Sequence, residues 1–96
     1  MYARVATFEG GDMERLRQMA EERQAAGAGM PDGVRRMMVL HDEGSGRRLF
    51  VTFFDSREAV EAAEARFDAM GDEMPEDVRG RRLSVDVYEV AMEEER

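Results

Sequence analysis

The sequence contains no cysteine, tryptophan, asparagine, lysine or isoleucine. Without cysteine there is no disulfide framework, no thiolate zinc site and no thiol nucleophile. There is a single histidine, so a metal site built from several imidazoles is excluded. No GxGxxG, P-loop, HExxH or GxSxG pattern occurs. No metal and no cofactor are therefore expected. No run approaches the ~20 apolar residues of a membrane span. Met1-Tyr2-Ala3-Arg4-Val5 lacks the basic region and apolar stretch of a signal peptide, so a cytoplasmic location and no membrane partner are expected.

The 96 residues, 43% hydrophobic and 38% charged, suit one globular domain over positions 1–96. Acidic residues number 22 against 14 basic ones, a formal net charge of −8. A phosphate backbone would be repelled by that balance, which argues against nucleic acid. Every basic residue is arginine. Their spread along the chain fits compositional bias more simply than anion recognition by guanidinium forks. The nine methionines fit flexible core filler, with a few free to line a tolerant pocket.

Tyr2–Phe8 reads as a first strand. Gly10-Gly11 breaks it, and Asp12 is a good N-cap for a helix carrying Met13, Leu16, Met19 and Ala20 on one stripe. That helix should end near Gly27 or Gly29. Met30-Pro31-Asp32-Gly33 is a turn-rich loop. Val34–His41 and Arg47–Phe54, joined by Gly44-Ser45-Gly46, read as a β-hairpin. Asp55 and Glu58 form a capping box opening a second helix, with Ala59, Val60, Ala63, Phe67 and Met70 on its stripe and Gly71 as C-terminal cap. Asp72–Gly80 is a charged loop. Leu83–Val90 is a last strand, and residues 93–96 are a frayed tail. The order β-α-β-β-α-β specifies a ferredoxin-like α+β fold: a four-stranded antiparallel sheet with two helices on one face.

The hairpin is apolar on both sides. Met37 and Val39 oppose Met38 and Leu40; Leu49, Val51 and Phe53 oppose Phe50 and Phe54. One set goes under the helices, although the sequence does not say which. The other needs a cover, since each exposed large side chain forgoes roughly 1.5–3 kcal/mol of burial. A second copy packed sheet to sheet as a homodimer is the economical cover. A tail or loop folded over the face is the alternative.

These features, together with Leu49-Phe50-Val51-Thr52-Phe53-Phe54-Asp55-Ser56-Arg57-Glu58-Ala59, resemble the dimeric α+β barrel superfamily and its antibiotic biosynthesis monooxygenase-like domains. The resemblance covers nearly the whole chain. It implies a barrel formed by the sheets of two subunits, and a small apolar or aromatic ligand held between helices and sheet. It also implies a possible cofactor-independent monooxygenase or isomerase acting on an aromatic or polyketide-like compound. A non-catalytic structural or regulatory ligand-binding dimer is the alternative. The asparagine, tryptophan and second-helix histidine common in such enzymes do not carry over. Phe54 stands where tryptophan is frequent, and Ala62, Ala63 and Glu64 replace the histidine region.

The remaining chemistry-bearing candidates are few. His41 could act as a general base, and Tyr88 as an acid or hydrogen-bond donor beside Asp86. Arg36, next to Arg35, could clamp a carboxylate, and Phe54 and Asp86 could contact ligand. Each has a plainer reading: a surface histidine by a turn, an amphipathic strand, a charged edge strand. RNA-recognition modules share the topology. Here, however, Gly46, Arg47 and Arg48 do not supply their third-strand motif, and Val5-Ala6-Thr7 offers no stacking aromatic.

Overall fold

The computed structural model describes residues 1–27 and 30–96. Its elements are β1 (Tyr2–Glu9), α1 (Met13–Ala25), β2 (Val34–Asp42), β3 (Arg47–Phe54), α2 (Arg57–Glu73), α3 (Glu76–Arg79) and β4 (Arg81–Glu89). The sheet order is β2-β3-β1-β4, with every neighbouring pair antiparallel. β1 and β2 are therefore parallel to each other, as are β3 and β4. Each pair is joined through a helix, and right-handed crossovers put both helices on one face. The fold is the expected ferredoxin-like α+β arrangement.

Cross-strand partners share a face, so the register settles the two sides of the hairpin. Val39 opposes Phe50 and Met37 opposes Thr52; Met38 opposes Val51 and Leu40 opposes Leu49. Val60, Ala63 and Phe67 of α2 are buried with Val34 and Phe54, the last at 0% exposure. Phe54, Thr52 and Phe50 therefore face the helices, with Met37 and Val39 beside them. Leu49, Val51 and Phe53 face away. An irregularity between Val34 and Arg36 moves the strand from core-facing Val34 to Arg36 on the open face.

Phe67 anchors the core. Its ring meets Phe50 and Phe54 edge-on, with centroids 6.2 and 6.3 Å away. By contrast α1 buries none of its residues. Met13, Leu16 and Met19 are half-buried and Ala20 is exposed, and its main contact is with α3.

Local details depart from the sequence reading in instructive ways. Asp12 caps α1 as expected, accepting from the Arg15 N–H at 3.0 Å. That helix stops at Ala25 with Ala26 as its C-cap, followed by Gly27 at φ 79°; Gly29 lies outside the described residues. The cap of α2 is Ser56 rather than Asp55, accepting from the Ala59 N–H at 3.2 Å. Asp55 is instead engaged with Arg35, 3.4 Å away. Gly71 does not end α2. Its carbonyl accepts from Arg79 at 2.8 Å and from the Met74 N–H at 3.3 Å, and the helix continues to Glu73. The charged loop that follows contains the short α3, entered through Pro75.

One tight crossing fixes the end of the sheet. A Cβ on Gly80 would lie 2.7 Å from the carbonyl oxygens of Glu9 and Gly10, and its φ is +83°. Only glycine suits that combination. Arg48, 5% exposed, donates to the Gly10 carbonyl at 3.3 Å and to the Arg79 carbonyl, with Phe8 beneath it. Burial holds its guanidinium pKa below the usual arginine value. Backbone carbonyls rather than a carboxylate complement the charge.

Candidate functional site

The helix-bearing side of β1 presents Tyr2, Arg4, Ala6 and Phe8. An arginine in the middle of that row is unusual, because the position is 2% exposed. The side chain survives there because α2 supplies Glu64, four residues after buried Val60 and so on a neighbouring stripe of the helix. Arg4 Nε donates to Glu64 Oε1 at 2.8 Å and Nη2 to Oε2 at 3.3 Å. Its Cζ also lies 4.4 Å from the centroid of Phe67. The Glu64 side chain is 38% exposed, so the pair runs from the core to the surface.

Thr52 is the Cα partner of Arg4 on β3 and is fully buried. Its Oγ1 has no hydrogen-bond partner among the described residues. An unmade bond of this kind costs about 1–3 kcal/mol. The layer between α2 and the sheet thus holds a pinned guanidinium and a free hydroxyl among Phe50, Phe67 and Phe54. Towards β2 that layer is incompletely covered: Met37 and Val39 are each 41% exposed. A cleft of about 200 Å³ opens nearby, between Pro31-Asp32 and Ala62, Ala63 and Arg66 of α2. That cleft borders α2 and the loop before β2 and is lined by none of Arg4, Thr52, Phe50 or Phe67.

The residues singled out from the sequence are dispersed. His41 pairs with Arg48 on the helix side of β2, an edge strand, and is exposed. Tyr88, 57% exposed, pairs with Ala3 and so lies on the open face of the opposite edge strand. Asp86 shares its face and is exposed. Phe54 is sealed in the core. Arg36 lies on the open face, its Cζ 5.9 Å from the Phe53 centroid. His41 and Tyr88 therefore do not converge. Among the described residues no group of His, Asp and Glu is arranged to hold a metal ion, and no helix is long and apolar enough to cross a membrane.

Arg4, Thr52 and Glu64 were not singled out. The available signal was an arginine at the centre of a row containing Tyr2, Ala6 and Phe8. Its partner lies sixty positions along the chain, and no local pattern links the two.

The open face carries Ala3 and Val51, 9% and 7% exposed, with Val5, Leu49, Phe53 and Met38 half-buried. Leu40, at 48%, extends the apolar surface to the edge of β2.

Among solved structures, this chain is similar to a candidate antibiotic biosynthesis monooxygenase from Deinococcus radiodurans. The match has a TM-score of 0.55 at 19% identity, over 99% of this chain and 97% of that one. The likeness is one of fold, the same ferredoxin-like α+β arrangement. No family model matches the chain, and no curated protein does.

Proposed function

We propose that the chain is a homodimeric small-molecule-binding protein whose ligand is a polycyclic aromatic bearing a phenolic or keto oxygen. The ligand sits on the helix side of the sheet, against Phe50 and Phe67. The observation that carries this reading is the juxtaposition of Arg4 and Thr52, a guanidinium and an unpartnered hydroxyl at the floor of an aromatic layer. A phenolic or keto oxygen lodged there accepts from the Thr52 hydroxyl, while Arg4, already neutralised by Glu64, helps to orient that oxygen rather than to ionise it. The apolar open face, where Leu40 is 48% exposed and Val5, Met38, Leu49 and Phe53 are half-buried, supports pairing of two copies sheet to sheet.

The separation of His41 from Tyr88 favours binding without turnover as the second reading, a regulatory or carrier dimer. Calorimetric titration with 1-hydroxyanthraquinone tests the proposal. Saturable binding that Arg4→Met and Thr52→Val both weaken supports it, and binding indifferent to both substitutions contradicts it. Product formation from the bound phenol in air separates the enzyme from the carrier.

A further inference from the structure

A second cleft lies on the other side of the sheet, at its rim. It measures about 400 Å³, within the range of roughly 300–1,000 Å³ usual for small-molecule sites. Phe53, Met1 and Val90 wall it from the ends of three strands, and Met92 comes from the segment after β4. The Val90 N–H donates to the Met1 carbonyl at 2.9 Å, which pins the start of that segment beside β1. Met92 is 80% exposed and Met1 48%. Two flexible thioethers thus border the space without being packed into it, as adaptable walls do.

Two arginines flank the cleft, and they differ. Arg35 is engaged with Asp55 at 3.4 Å. Arg36 has no carboxylate in ion-pair reach among the described residues, and its guanidinium is steadied over the Phe53 ring at 5.9 Å. An uncommitted cation beside an aromatic, at the mouth of an apolar cleft, is complementary to a molecule with an apolar body and one anionic end. In a chain of net charge −8, such a molecule needs a local cation to overcome the general repulsion. Glu93 lines the same cleft without pairing with Arg36.

We propose that this cleft binds a small amphiphilic carboxylate, with Arg36 as the carboxylate clamp and Glu93 opposing occupancy. The site shares no residue with the helix-side layer, so either can fail without the other. It lies at the strand ends of the open face, with Phe53 two residues along β3 from Val51, so it borders the surface proposed to pair copies.

Fluorescence titration of the native assembly with 2-naphthoate, and with its methyl ester, tests this proposal. The acid should bind saturably and the ester about tenfold more weakly. Arg36→Gln should remove the acid's advantage, and Glu93→Gln should tighten acid binding about two- to threefold. Arg36 is exposed, so R36Q keeps its fold, which circular dichroism verifies. Thr52→Val should leave naphthoate binding unchanged. Equal affinity for acid and ester, or indifference to Arg36→Gln, overturns the proposal. Binding abolished by Thr52→Val instead would move the ligand to the helix side and also overturn it.

Discussion

Arg4 and Thr52 face each other across β1 and β3, both almost wholly buried beneath α2. One is paired with a carboxylate, and the hydroxyl of the other has no hydrogen-bond partner among the described residues. A domain of this size, with modest total stability, leaves little room for an idle buried hydroxyl. The combination is wasteful as pure packing and sensible as a floor for a polar ligand atom.

Thr52→Val removes the orphan hydroxyl while nearly keeping the shape. It should stabilise the unliganded protein by about 1 kcal/mol, read as a higher urea midpoint at unchanged slope. The same variant should bind 1-hydroxyanthraquinone more weakly. Stability and binding moving in opposite directions is the signature of a hydroxyl kept for a ligand. A destabilised T52V would instead show that the hydroxyl is satisfied in solution.

Glu64→Gln should cost about 1–3 kcal/mol. It leaves the Arg4 guanidinium buried without a counter-charge. The cost stays below that of a fully buried pair because the Glu64 side chain is 38% exposed. Chemical denaturation measures it, and Asp68→Asn serves as control, because its pairing with Arg82 at 3.4 Å is between exposed side chains and should be worth little.

The turn between β2 and β3 carries a pH signature. Bonds from the Ser45 hydroxyl and then the Gly44 N–H hold the Asp42 carboxyl below its ordinary value of 3.8. A depressed acid contributes stability above its unfolded pKa and loses it as pH falls through the folded value. Asp42→Asn should therefore lower the Tm at neutral pH. Below the depressed value wild type and variant should melt alike. A pH-independent difference would contradict the assignment.

Leu40→Glu tests the pairing of copies without threatening the core, since Leu40 is 48% exposed on the edge strand. Light scattering should give twice 10.9 kDa for the wild type and the single-chain mass for the variant. A wild type at the single-chain mass would remove the homodimer.

Element order and fold were legible in the sequence because turn residues punctuate it and the hairpin's apolar runs are dense. The choice of hairpin face was not: it is set by the side on which α2 packs, burying Phe54 with Val60, Ala63 and Phe67, and both hairpin faces are apolar enough to serve. The cap of α2 slipped by one because Asp55 and Ser56 are both competent caps, and Arg35 takes up Asp55. Of the site candidates, Arg36 lines a cleft, whereas Phe54 is sealed in the core. Nothing local in the strand Tyr2–Phe8 marks Arg4 as buried. Its burial is decided by Glu64 and Phe67, which reach it only through tertiary packing.

The most direct measurement is the Arg4 Nε–H resonance followed by NMR during titration with 1-hydroxyanthraquinone. Binding on the helix side predicts a saturable shift of that resonance, together with the Thr52 amide and the Phe50 and Phe67 rings. An unmoved Arg4 resonance at saturating ligand, with shifts confined to the open face around Val51 and Tyr88, would contradict it.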